Sequence, residues 1–114
     1  MDGSAAEARA LSFLQEQGLT LVARNWRCKA GELDLVMQHG DTVVVTEVRS
    51  RARAEFGSAA ETIGWRKRAK LVRATRLLLA RRPDLAEAPL RFDVVTLDGD
   101  GRIEWLREAF DVQE

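Results

Sequence analysis

Residues 31–49 read GELDLVMQHGDTVVVTEVR, and this stretch decides the fold. The segments 32–37 and 42–49 are rich in β-branched and aliphatic residues, which is typical of strands. Between them, residues 38–41 (QHGD) have the composition of a tight turn. The stretch therefore predicts a β-hairpin, with the apolar run 43–48 as a central strand of a sheet.

The register of this hairpin decides whether two acidic side chains, Asp34 and Glu47, meet. Successive side chains on a strand point to opposite faces. A two-residue loop at His39-Gly40 places Asp34 diagonal to Glu47, and a loop two residues longer places the two acids directly opposite. Both registers put their Cβ atoms roughly 5–8 Å apart on one face. A shift of one residue would send them to opposite faces.

A carboxylate in an apolar strand needs an explanation. Burying the charge of Glu47 costs several kcal/mol unless a cation or hydrogen bonds compensate. Two converging carboxylates also repel each other, and a divalent cation relieves that repulsion. Because the ligands are oxygens only, Mg²⁺ or Mn²⁺ is favoured over Zn²⁺ at Asp34 and Glu47. The structural alternative is an ion pair of either acid with Arg49 or another basic side chain.

Periodicity and turn residues predict the remaining elements. Two helices are expected, each opened by a capping box, Ser4 with Glu7 and Ser58 with Glu61. Gly18 ends the first helix, and the second runs to about Arg82, before Pro83. Three more strands are predicted over residues 19–26, 91–97 and 102–106. The order α-β-β-β-α-β-β implies an α/β fold with a mixed central sheet of about five strands flanked by helices.

Length and composition indicate one domain spanning residues 1–114. The chain is 46% hydrophobic and 32% charged, which suits a single core with a wettable surface. Its apolar runs are far shorter than the roughly 20 residues that cross a bilayer. Residues 1–4 show no signal-peptide pattern. Since the single cysteine, Cys28, can form no internal disulfide, we expect a cytoplasmic protein without membrane contact.

The formal net charge is zero, but the charges are unevenly distributed. Residues 49–82 hold eleven Lys and Arg against two Asp and Glu, and the segments on either side are acidic. A local positive field of this kind can hold a phosphate backbone even on a neutral molecule. The alternative is a solvated helix whose charges offset the acidic strands beside it, and charge alone does not choose between the two.

The ordered set of motifs resembles the YraN-like family of small bacterial proteins. The resemblance rests on Gly31-Glu32-Leu33-Asp34 and Thr46-Glu47-Val48-Arg49 and covers nearly the whole chain. Further matches lie at Gly3, Glu7 and Ala8, at Arg24, Asn25 and Arg27, at Phe56-Gly57, at Lys67 and Leu71, and at Arg91-Phe92-Asp93-Val94-Val95. That family is similar to the Holliday-junction resolvases of the PD-(D/E)xK nuclease superfamily, which implies a restriction-endonuclease-like fold.

The resemblance implies a metal-dependent phosphodiesterase site. Asp34 and Glu47 would hold the metal, and Glu7 would join them from the first helix, although capping of that helix explains Glu7 equally well. The superfamily motif has Lys two residues after the second acid, where this chain has Arg49. Arginine stays protonated and cannot act as a general base, but it can clamp a phosphate. Lys67 or Lys70 is a candidate for a migrated lysine, and Glu32 is expected either at the rim of the site or next to the metal ligands.

Basic residues near the acids are candidate nucleic-acid contacts. These are Arg51, Arg53, Arg66, Lys67 and Lys70. Trp65 either stacks on an unpaired base or packs on its own fold, and we expect the packing. DNA is the expected partner, with RNA left open, and a two-fold homodimer is expected by analogy with junction nucleases.

Three functions are compatible with these residues. The first is a divalent-metal-dependent endonuclease that hydrolyses phosphodiester bonds, with branched or structured DNA as candidate substrate. The second is a non-catalytic nucleic-acid-binding module that retains the nuclease fold, with Arg49 in place of the motif lysine. The third is a structural or partner-binding protein whose acids form internal ion pairs. We favour the first over the second, and both over the third.

Overall fold

A computed structural model describes residues 3–50 and 63–111 as a five-stranded sheet with a helix on each face. The elements are α1 (Gly3–Glu16), β1 (Thr20–Cys28), β2 (Gly31–His39), β3 (Thr42–Ser50), α2 (Trp65–Ala80), a 3-10 turn (Pro83–Leu85), β4 (Leu90–Leu97) and β5 (Ile103–Phe110). The element order and the strand count confirm the predicted α/β, restriction-endonuclease-like fold. Within these residues no helix is both long and apolar enough to cross a membrane.

The five strands lie in the sheet in chain order. β3 and β4 run parallel, and all other neighbours are antiparallel. A parallel pair cannot be joined by a tight turn, so the chain crosses over between β3 and β4 and places α2 on the sheet. The end of β3 and the start of α2 thereby come together near one end of the sheet.

Two apolar cores lie on opposite faces of the sheet. The α1-side core joins Ala6, Ala10 and Leu14 to Leu19, Leu35, Met37, Val44, Val95 and Leu97. The α2-side core is larger and includes Leu71, Val72, Ala74 and Leu78 with Leu33, Val36, Val43, Val45, Phe92 and Val94. Because β3 is buried on both faces, its sequence is a continuous apolar run rather than an alternating one.

The predicted start of α1 is wrong, and α2 does not extend continuously back to residue 58 as predicted. α1 already includes Gly3, so Ser4 lies inside the helix and is not its N-cap. α2 begins at Trp65 after Gly64, whose backbone is extended and which offers no capping side chain. Ser58 and Glu61, the predicted capping box, lie outside the described residues. Glycine is a poor helix former, which accounts for the helix starting only after position 64.

The end of α1 is as predicted. The Gly18 N–H donates to the Gln15 carbonyl at 3.0 Å, and the Leu19 N–H donates to the Leu14 carbonyl at 3.1 Å. These two bonds form a Schellman cap, which requires the left-handed backbone that Gly18 adopts at φ +95°.

Replacing Gly18 by Ala is expected to cost roughly 1–2 kcal/mol of folding free energy, because a Cβ disfavours this left-handed conformation. Gly64→Ala is the matched control, because Gly64 has φ −71° and open space where a Cβ would lie. The folding free energy of this variant should stay within about 0.5 kcal/mol of the wild-type value. Urea unfolding measures both. Equal losses in the two variants would contradict the role given to the Gly18 backbone.

Asp93 is a fully buried carboxylate whose two oxygens are both satisfied. The Arg91 guanidinium donates Nε to Oδ1 at 2.9 Å and Nη2 to Oδ2 at 3.0 Å. The Trp105 indole donates to Oδ2 at 2.9 Å, and the Glu108 backbone N–H donates to Oδ1 at 3.1 Å. Glu108 has φ +51°, and the pairing of β4 with β5 is bulged beside it. Asp93 therefore stabilises the bulge in the pairing of β4 with β5.

Candidate active site

The candidate site lies where β2 and β3 separate. Their pairing runs from His39 with Thr42 to Leu35 with Thr46, so the next position sets Asp34 opposite Glu47. Of the two registers considered, this is the one with the acids directly opposed. The Val48 N–H is not used by β2 and donates instead to Asp34 Oδ2 at 3.0 Å. This hydrogen bond fixes the Asp34 side chain at the point where β2 and β3 separate.

The two acids predicted to converge are in contact. Glu47 is only 3% exposed, and Asp34 is half-buried. Burial, followed by the charge of Asp34, raises the pKa of Glu47 from 4.5 to about 7, although Lys67 and Arg49 oppose the shift. Burial also raises the pKa of Asp34, against the Val48 N–H and a hydrogen bond with the Glu47 side chain. A protonated Glu47 can therefore donate a hydrogen bond to the Asp34 carboxylate.

Lys67 supplies the cation of this site. It lies in the first turn of α2, and its Nζ is 3.4 Å from Glu47 Oε1. The other oxygen, Glu47 Oε2, is buried and accepts no hydrogen bond from the described residues. An ionised Glu47 is therefore only partly compensated by the protein itself.

Two further carboxylates approach Asp34 from its other side. One oxygen each of Glu7, Glu32 and Asp34 can be chosen so that all three lie within 4.8 Å of one another. Glu7 comes from α1, and its pKa is raised by burial and by the charge of Asp34. The capping function predicted for Glu7 is wrong, because Ser4 is not the N-cap. Glu32 is a neighbour of the other two acids, which is one of the two positions expected from sequence, and Arg27 Nε donates to it at 3.1 Å.

Asn25 explains why Glu32, Asp34 and Glu7 come together. The pairing of Arg24 with Leu35 and of Trp26 with Leu33 sets Asn25 opposite Asp34. Asn25 has a left-handed backbone, φ +50°, which twists β1 at this point. Its side chain also forms a hydrogen bond with Glu7, which favours the ionised carboxylate. In the sequence Asn25 stands out only through the family resemblance, since a left-handed residue within a strand leaves no periodic signal.

If these acids hold a metal, Asn25→Gly is expected to weaken Mn²⁺ binding by about 10- to 100-fold, because it removes the amide that orients Glu7 while permitting the left-handed backbone. Isothermal titration of the purified protein with Mn²⁺ measures the change. Asn25→Ala should lose the same affinity and in addition some folding stability, because its Cβ strains the backbone. Unchanged Mn²⁺ affinity in Asn25→Gly would contradict a positioning role for the amide.

The acids and Lys67 border one open cleft of about 370 Å³. Its lining is Ala6, Glu7, Asp34, Glu47, Val48, Arg49, Ser50 and Lys67. Arg49 is half-buried there. Lys70, the other candidate for a migrated lysine, is exposed on α2 and is not among the lining residues. The cleft therefore holds two of the basic side chains and three of the acids singled out in the sequence.

Arg66 and Lys70, two of the other predicted nucleic-acid contacts, are not among the residues that line the cleft. Arg51 and Arg53 are outside the described residues. Arg66 is exposed, and its guanidinium carbon is 5.2 Å from the centroid of the Trp65 ring. Trp65 itself is 71% exposed, so the expectation that it packs on its own fold is wrong.

A model of the family described as "Uncharacterised protein family UPF0102" matches residues 6–97, which include all the lining acids and Lys67. The chain belongs to UPF0102. A UPF0102 protein of Pseudomonas putida strain GB-1 is 54% identical over 113 residues, covering 96% of this chain and 92% of its own length. A UPF0102 protein of Pseudomonas savastanoi pv. phaseolicola is 50% identical over the same coverage. These matches confirm the YraN-like family assignment drawn from the sequence.

Proposed function

We propose that this UPF0102 protein is a divalent-metal-dependent endonuclease that hydrolyses phosphodiester bonds in DNA, with branched or structured DNA as its substrate. The observation that carries the proposal is the convergence, in one open cleft, of carboxylates from α1, β2 and β3 with the Lys67 ammonium from α2. Buried acids that only stabilise a fold are satisfied within it, as Asp93 is. Glu47 of the cleft is not, since its Oε2 is buried and accepts no hydrogen bond from the described residues.

The donor set fits Mg²⁺ or Mn²⁺. All candidate ligands are carboxylate oxygens, which these hard cations prefer, and Glu47 Oε2 is buried without a donor among the described residues. Asp34 lies between the two groups of acids and would be the shared ligand, with Glu47 on one side and Glu7 on the other. A bound metal would stabilise negative charge developing on the phosphate and lower the pKa of a bound water.

The basic residues of the cleft suit a phosphodiester substrate. Lys67 Nζ can donate to a non-bridging phosphate oxygen or orient a water, since it contacts Glu47 at the edge of the cleft. Arg49 stays protonated and can hold a phosphate through two N–H groups. In the metal-free protein burial raises the pKa of Glu47 to about 7, and a bound cation would stabilise its ionised form.

Incubation of the purified protein with Mn²⁺ and with junction, flap and single-stranded DNA tests the proposal. We expect cleavage by the wild type and none by Asp34→Ala. Cleavage that survives Asp34→Ala would come from a contaminant. Thermal unfolding supplies an independent readout: Mg²⁺ or Mn²⁺ should raise the unfolding temperature of the wild type, and Glu47→Ala should abolish the increase. Equal increases in both proteins would exclude the metal site.

The second candidate function is a nucleic-acid-binding module without efficient cleavage. It is favoured by one observation, that Arg49 stands where the superfamily motif has Lys. Such a protein would bind the same DNA substrates and leave them intact in Mn²⁺.

Arg49→Lys separates the two functions. We expect it to raise the cleavage rate by about tenfold, because a lysine at this position can share its proton with the reacting groups and an arginine cannot. The rate is measured under single-turnover conditions on the best junction or flap substrate. A lower rate would mean that Arg49 has a catalytic role of its own.

A further inference from the structure

Trp65 is the most exposed large hydrophobic residue of the described chain, at 71%. An indole ring left in water forgoes roughly 1.5–3 kcal/mol that its burial would contribute, so the fold does not explain its position. It is also the first residue of α2, the end of the helix from which Lys67 reaches the cleft. Residues two apart on a helix do not share a face, so the ring is exposed across the helix from Lys67.

The surface around Trp65 is basic. α2 contains no acidic residue, and its exposed side chains include Arg66, Lys67, Lys70, Arg73 and Arg76. The Arg66 guanidinium lies against the Trp65 ring, with its central carbon 5.2 Å from the ring centroid. An aromatic ring within a positive surface matches a partner that combines phosphates with flat aromatic faces.

The distance from Trp65 to the cleft suits a polynucleotide. Trp65 and Lys67 are both in the first turn of α2, and a helix with its side chains is about 10–12 Å across. That span corresponds to about three nucleotides of a stacked strand. A strand with one phosphate in the cleft would thus pass the Trp65 ring within a few nucleotides.

We infer that Trp65 stacks on an unpaired nucleobase, so that the partner is nucleic acid with single-stranded nucleotides rather than continuous duplex. Inside a duplex both faces of a base are covered by its neighbours, and an aromatic side chain can stack only on a base that is unstacked. The inference rests on the proposed function for the placement of the phosphate, and it narrows the substrate to strands with an unpaired base near the bound phosphate.

Fluorescence anisotropy without divalent metal tests the inference, because no cleavage is expected under those conditions. The probes are one labelled oligonucleotide as a single strand and the same sequence as a blunt duplex. Trp65→Ala should raise the Kd for the single strand by about 5- to 150-fold, as the loss of one base-stacking contact predicts, and leave the Kd for the duplex within about twofold. Trp65→Phe, which keeps an aromatic face, should retain most of the affinity.

Arg73→Ala is the matched control. Arg73 is exposed on α2 and can contact a phosphate, so its removal should raise the Kd for both probes to the same extent. Because Trp65 is exposed, its variants should unfold at the wild-type temperature. If Trp65→Ala raises the Kd for both probes equally, or changes neither Kd, the stacking inference is wrong.

The outcomes also separate this inference from the proposed function. A Trp65-dependent preference for the single strand in a protein that never cleaves DNA would support stacking and refute hydrolysis. Metal-dependent cleavage with no Trp65-dependent preference would support hydrolysis and refute stacking. A protein that binds neither probe would refute stacking, and the junction and flap cleavage assay would decide on hydrolysis by itself.

Discussion

Lys67→Met is expected to lower the cleavage rate by about 10²- to 10⁴-fold, the range seen when a positioned proton-transferring group is removed. The Lys67 ammonium is 3.4 Å from Glu47 and is the cation that α2 contributes to the cleft. Methionine retains most of the apolar stem and removes the charge. Single-turnover kinetics on the preferred DNA substrate in Mn²⁺ measures the change.

Lys70→Met is the matched control for this variant. Lys70 is the same residue type on the same helix, exposed, and absent from the cleft lining, so the rate should change by no more than about twofold. Equal losses in Lys67→Met and Lys70→Met would mean that both lysines only attract DNA. Urea unfolding must accompany the kinetics, because removal of Lys67 leaves Glu47 without its ion-pair partner.

The stability of the metal-free protein is expected to fall as pH rises from about 4.5 to 7. Glu47 has a pKa of about 7 in the folded protein and an ordinary value of 4.5. The folded state therefore holds this proton more tightly than the unfolded state does, and ionisation of Glu47 favours unfolding. The difference corresponds to about 3 kcal/mol that is present below pH 4.5 and lost by about pH 7.

Glu47→Gln isolates this contribution from those of other groups. Glutamine stays neutral, so the variant should be more stable than the wild type above pH 7 and should lose the Glu47 part of the pH dependence. Urea unfolding between pH 4.5 and 8 with a chelator measures the difference between the two proteins. Because the pKa of Asp34 is raised as well, some slope of the same sign should remain in the variant. A constant difference across this range would contradict the raised pKa of Glu47.

The sequence was sufficient to predict the hairpin and the contact between its two acids. Apolar runs and turn residues are local signals. Asp34 and Glu47 lie on two strands that a tight turn joins, and the register of these strands places both acids on one face. The helix starts and the positioning role of Asn25 were not predictable in this way. They depend on the extended backbone at Gly64 and on the twist at Asn25, and single-residue backbone conformations of this kind have no period.

Asp93 and Glu47 illustrate why burial of an acid alone does not identify a functional residue. Both lie on adjacent central strands and are at most 3% exposed. The Asp93 oxygens accept hydrogen bonds from Arg91, Trp105 and the Glu108 backbone. Glu47 has one lysine at 3.4 Å and a buried oxygen without a donor among the described residues. Hydrogen-bond satisfaction, which the sequence does not contain, distinguishes them.

The left-handed residues Asn25 and Glu108 lie in β1 and β5, the two outer strands of the sheet. Outer strands with regular backbones are templates on which a second molecule can add its own strand. Here each is interrupted by a positive φ and carries exposed charged side chains, such as Arg24 and Arg107. Both features protect the protein against edge-to-edge aggregation. If two copies associate, as the analogy with junction nucleases predicts, we expect them to do so through helices or loops and not by joining their sheets.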